Sequence, residues 1–129
     1  GKSVSSLETV EQQIRFFADM PTKTEVEMLQ ATLDDAEAGP AKIDSMVAAW
    51  AAGDIRALEE QFITEMKTNY AEVYGVLLTD RNRDWATQLK TKLASSGVSF
   101  VAVGAGHLVG PDSLQAQLAT LGVQAERVN

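Results

Sequence analysis

The stretch "GVSFVAVGAGHLVG", Gly97 to Gly110, decides how the rest of the chain is read. Its first half, Val98 to Val103, is β-branched, aromatic and apolar on both alternating faces, which is how a strand covered on two sides reads. Its second half sets the only histidine of the chain, His107, among Gly104, Gly106 and Gly110, directly past the end of that strand. In open α/β sheets ligands collect outside the carboxyl ends of strands, and glycines permit tight turns and close backbone approach. His107 therefore reads either as part of a site or as a histidine whose hydrogen bonds are met inside the fold. The third glycine comes one position too late for the dinucleotide fingerprint, and no phosphate-loop lysine follows.

Working outward, helical periodicity takes over. Leu114, Leu118 and Leu121 mark a helix after the loop, with Asp112 placed to cap it, and "VQAERV" after Gly122 reads as a closing strand. Before the strand, Asp80 is placed to cap a helix with Trp85, Leu89 and Leu93 on its inner face, ended by Gly97. Two helices precede it, separated at Gly53-Asp54. One buries Ile43, Met46, Val47, Trp50 and Ala51, and the other buries Ile55, Leu58, Phe62 and Met66. Further upstream, Val26, Leu29, Leu33 and Ala36 form the apolar face of a helix closed by Gly39-Pro40, and Val10, Ile14 and Phe17 that of a shorter one. "SVSSLE" supplies a first strand. The spacing thus predicts a helix-rich α/β fold: strands from the two chain ends share a small sheet, and a block of consecutive helices lies between them.

The 129 residues suffice for one core, so residues 1–129 are expected to form a single folded unit. A net charge of -7 without a basic cluster repels phosphate backbones and anionic lipid, which argues against nucleic acid as a partner. The absence of cysteine excludes disulfides, thiolate metal sites and a cysteine nucleophile. With one imidazole, a metal would have to rely on carboxylates. Glu8, Glu11, Asp80 and Asp112 are the candidates by position, and such a set suits manganese or magnesium better than zinc. Arg81 and Asn82 stand at the opening of a helix, where a cation opposes the helix dipole. Arg81 reads as a surface residue paired with Asp80 or Asp84, or as a local rule broken for function. The serines lack a nucleophile-elbow context.

Three segments carry a family resemblance. "LLTDRNRDWATQL" (77–89) and "GVSFVAVGAGHLVGPDSLQAQLATLGVQAERV" (97–128) resemble the closing third of the TraB/GumN family, which is related to the Tiki proteases and distantly to ChaN-like proteins. "GKSVSSLETVEQQIRFFADMP" (1–21) resembles that family's Leu-Glu-Thr strand and following helix. The resemblance implies metal-dependent peptide hydrolysis built from two G-x-x-H motifs and an acidic residue. Gly104-Ala105-Gly106-His107 matches the second G-x-x-H, Glu8 the acidic residue, and Arg81-Asn82 the Arg-Asn pair. His107 and Glu8 would be metal ligands, for manganese, cobalt or zinc. Arg81 would hold a carboxylate or oxyanion, Asn82 would orient a neighbour, and Gly104, Gly106 and Gly110 would form the binding loop. The first G-x-x-H has no counterpart here. The resemblance thus implies the C-terminal portion of a longer protein, inactive alone, with the missing N-terminal part as partner and a peptide as substrate. The alternative is a non-catalytic interaction or peptide-sequestering module. An exposed sheet edge would make the chain a homo-oligomer, and kinship implies export, periplasmic or membrane-anchored.

Overall fold

Thr9 opens the first helix with a reciprocal cap. Its hydroxyl accepts from the Gln12 N–H at 3.1 Å, and the Gln12 side chain accepts from the Thr9 N–H at 2.7 Å. In the computed structural model, which describes residues 1–34, 36 and 39–128, this start leads into α1 (Val10–Ala18) and then α2 (Thr22–Asp34). Gly39-Pro40 does not close α2 as the sequence reading had it but opens α3 (Gly39–Ala52). Proline suits a first helical turn, where its missing N–H costs no bond. The break at Gly53-Asp54 stands as read. Gly53 takes φ +67°, and the Asp54 carboxylate accepts from the Ala57 N–H at 3.0 Å to start α4 (Ile55–Leu58).

From there the helical path is interrupted by wider turns. A π-helical segment (Glu59–Thr64) leads into α5 (Glu65–Asn69), and α6 (Ala71–Tyr74) runs through a second one (Gly75–Thr79) into α7 (Asp80–Leu93). A π turn needs an extra residue, so the inward position after Leu58 falls on Ile63. Leu58 and Ile63 are buried, whereas Phe62 and Met66 are only partly so. A short 3₁₀ turn (Ala105–Leu108) carries the histidine, and α8 (Leu114–Thr120) follows it.

No strand forms among the described residues, and this overturns the α/β reading: the fold is helical. Two apolar cores account for it. One joins Ala49, Leu58, Ile63, Tyr74, Leu78 and Val109 across α3, the π segments and the loop. The other joins Trp85, Ala86 and Leu89 of α7 directly to Leu114, with Leu7, Val103, Leu118 and Leu121 around it. Each fully buried large apolar side chain contributes about 1.5–3 kcal/mol. α7 packs on α8 without an intervening sheet, residues 98–102 remain exposed, and Phe100 is 94% exposed. Among the described residues, no backbone hydrogen bond joins 98–103 to 1–8 or to 123–128, so these stretches form no sheet. The predicted shared sheet and its exposed edge are therefore absent.

The helical faces are corrected too. α2 turns Thr24, Met28 and Ala31 inward, tied by the Thr24 hydroxyl donating to Glu72, while Val26, Leu29 and Leu33 face outward. On α3 only Ala49 is fully buried, and Trp50 is 64% exposed. No helix among the described residues is long and apolar enough to cross a membrane.

Candidate functional site

Residues far apart in the sequence meet along the start of α7. Successive turns of that helix aim Arg81, Asn82 and Trp85 at two partners: Glu8, fixed just ahead of the Thr9 cap, and His107 in the 3₁₀ turn. Arg81 grips Glu8 with both arms, Nε to Oε1 at 2.8 Å and Nη2 to Oε2 at 2.9 Å. Its remaining arm donates to the Leu77 carbonyl at 3.1 Å. The guanidinium lies 4.9 Å from the Trp85 ring centre and 5.2 Å from that of Phe16, a stacking that suits a planar cation. Gln13 donates to Glu8 at 3.3 Å. Burial opposes the Glu8 charge, but the Arg81 hydrogen bonds and charge outweigh it and hold the carboxyl below its usual range. The buried Trp85 indole N–H also favours the Glu8 charge, although it closes no hydrogen bond.

The sequence reading paired Arg81 with Asp80 or Asp84 as its structural alternative. The structure gives Asp80 to Arg83 and Asp84 to Gln88, and Arg81 reaches across to Glu8.

His107 is 8% exposed and packs on Trp85 with ring centres 4.4 Å apart. Its Nδ1 lies 2.7 Å from Asn82 Oδ1. Asn82 Nδ2 donates to the Asp112 carbonyl at 2.8 Å, and a carbonyl can only accept. The amide orientation is thereby fixed, Oδ1 faces the imidazole, and Nδ1 must carry the proton. Nε2 is left with its lone pair, the form in which an imidazole accepts a proton or ligates a metal. Burial first, and the Arg81 charge second, lower the His107 pKa to about 4 against the opposing pull of Glu8, so the ring is neutral at pH 7.

Asp112 anchors the far side. Its carboxylate accepts from Lys67 at 2.8 Å and from the Tyr74 hydroxyl at 2.9 Å, and it caps nothing on α8. The Lys67 hydrogen bond lowers its pKa. Burial and the Asp112 bond raise that of Tyr74 to about 12.

The loop glycines have packing reasons. A Cβ on Gly106 would stand 2.5 Å from the Phe62 ring, and one on Gly110, at φ +82°, would stand 2.9 Å from Ile63 Cγ2. Both neighbours belong to the first π segment. Gly104 touches little, with His107 Cδ2 at 3.9 Å.

As placed, these side chains do not by themselves fit a metal ion. Among the described residues no three of His, Cys, Asp or Glu gather as a ligand set. Glu8 has both oxygens on Arg81, Glu11 pairs with Arg15, and Asp80 and Asp112 have partners of their own. A divalent ion on His107 and Glu8 would need the Arg81 grip released and further donors brought in. Glu8, Arg81, Asn82 and His107, all singled out from sequence, form one connected network through Trp85. Trp85 and Asp112 were legible only as a core position and a cap or ligand candidate. The contacts of Phe62 and Ile63 had no sequence signal.

A family model described as the TraB/PrgY/gumN family matches residues 1–127. No curated protein and no solved structure matches the chain.

Proposed function

The chain belongs to the TraB/PrgY/gumN family, and from that premise we propose that it contributes to a hydrolytic site acting on peptides, with His107 as the reactive donor. The observation that carries this reading is the Asn82 clamp: a buried amide with a settled orientation holds a neutral imidazole so that Nε2 alone is presented. A hydrogen bond at one ring nitrogen that fixes the tautomer is typical of imidazoles that ligate or move protons at the other. Arg81 positions Glu8 in the same network, and its forked donors suit a substrate carboxylate or a developing oxyanion if the pair opens. A divalent ion, where further donors complete its shell, would supply Lewis-acid activation of water. Hydrolysis itself enters from what the TraB/GumN resemblance implies, through that family's kinship with the Tiki proteases.

A second reading, a non-catalytic peptide-binding module, is favoured by one feature. The Glu8–Arg81 pair is closed and Glu8 is buried, so neither charge is presented to a ligand.

Ring-nitrogen NMR of the lone histidine separates the two. A selective shift or broadening of Nε2 on adding zinc, cobalt or manganese, with cleavage of quenched peptides by the longer protein abolished by His107→Ala, is the expected result. An imidazole that keeps its Nδ1–H tautomer yet ignores all three metals, in a chain that binds peptides without cutting them, would leave the module reading.

A further inference from the structure

Two features outside that network fit one another. The first is a groove between α2 and α3, a cavity of about 470 Å³ floored by Phe62 and Met66 and walled by Met28, Ile43 and Met46, with Lys42 and Glu65 joined at 2.7 Å on its lip. Its size is that of a ligand pocket, and methionines adapt their shape to an apolar guest. The second is α1. It is well capped and strongly amphipathic, yet it has no buried residue. Its Phe16 and Gln13 hold it against Arg81 and Glu8, which leaves Val10, Ile14 and Phe17 exposed at 75%, 61% and 49%. That spacing, i, i+4 and i+7, is the anchor pattern of a helix that lies in an apolar groove.

We propose that two copies of this chain associate by reciprocal exchange, α1 of each lying in the α2–α3 groove of the other. Donor and acceptor are on one molecule, so the two contacts are equivalent and close as a two-fold dimer. Val10, Ile14 and Phe17 expose one apolar stripe on α1, and their anchor spacing is that of a helix that docks in a groove. Each copy carries a net charge of -7, so association strengthens as salt screens the repulsion.

Sedimentation velocity on the chain, Phe17→Asp and Ile43→Asp tests the exchange. Ile43 is 61% exposed and Phe17 half-exposed, so at dilutions where every form is monomeric both variants keep the parent thermal midpoint. The parent forms a dimer, and each variant weakens it at least about tenfold, the effect of losing a central anchor. An equimolar mixture of the two variants associates more tightly than either alone, because one good donor then meets one good groove. A parent that stays monomeric up to about 200 μM overturns the proposal. So does a dimer indifferent to both substitutions, or one broken by Phe100→Asp instead, which would place the contact on residues 98–102. A mixture no tighter than its components overturns the reciprocal arrangement.

Discussion

Lowering the pH from 7 to 5 destabilises this protein through its buried histidine. His107 titrates near 4 in the folded state, against an ordinary value of 6.5. Below 6.5 the unfolded chain binds a proton that the folded chain refuses, so the stabilisation present above 6.5 is lost as pH falls toward 4 and is gone below it. Between pH 7 and pH 5 the loss is about 2 kcal/mol, and the full shift corresponds to about 3 kcal/mol. Carboxylates do not confuse this window. Glu8 and Asp112, both held below their ordinary values of 4.5 and 3.8, release their share of stability only at lower pH. Urea unfolding at pH 7, 6 and 5 should show the midpoint falling at nearly constant m-value. The imidazole nitrogens, followed by NMR in the native state, should titrate near 4. A flat stability over that range, or a native midpoint near 6.5, would refute the buried, Asn82-clamped imidazole.

Three further outcomes follow from contacts already described. Gly110→Ala places a methyl against buried Ile63 at positive φ and should cost about 2–4 kcal/mol in urea unfolding, from strain plus overpacking; Gly104→Ala should cost less than about 1 kcal/mol. Glu8→Gln leaves Arg81 facing an uncharged amide in a largely buried site and should cost about 3 kcal/mol; Arg81→Lys should fare little better than Arg81→Met, since an ammonium cannot replace the two-armed grip. Phe100→Ser should change monomer stability by no more than about 0.5 kcal/mol, whereas the core strand expected from sequence would lose about 3–5 kcal/mol.

How far the sequence led can be traced residue by residue. Gly53-Asp54 was legible because a left-handed glycine followed by a capping aspartate is a local signal, complete within five residues. Glu8, Arg81, Asn82 and His107 were legible through motif resemblance, and the structure brings them into one network although Glu8 and Arg81 lie 73 positions apart. The strand over Val98 to Val103 failed for the opposite reason. Its composition states a preference, but a strand exists only when a second backbone meets its N–H and C=O groups, and that partner is a tertiary fact. The apolar stripes of α1, α2 and α3 misled similarly. Periodicity reveals that a face is apolar, not which surface covers it, and Val26, Leu29 and Trp50 turned outward while the short side chain of Thr24 let α2 approach Glu72.

The π segments account for the shape of the glycine loop. Glycines at 106 and 110 around a histidine leave room for a close backbone approach. In the fold that room is taken by Phe62 and Ile63, delivered there by the wide turn of Glu59–Thr64. The loop therefore packs on the π segment, and the Asn82 contact at Nδ1 leaves His107 Nε2 with its lone pair. Phe62 also floors the α2–α3 groove, so the same ring touches both the groove and the histidine loop. A guest that displaces Phe62 pushes on Gly106, one residue from the imidazole. If α1 of a second copy is that guest, dimerisation should register in the His107 ring signals, and Ile43→Asp should abolish that response while leaving the Asn82 clamp intact.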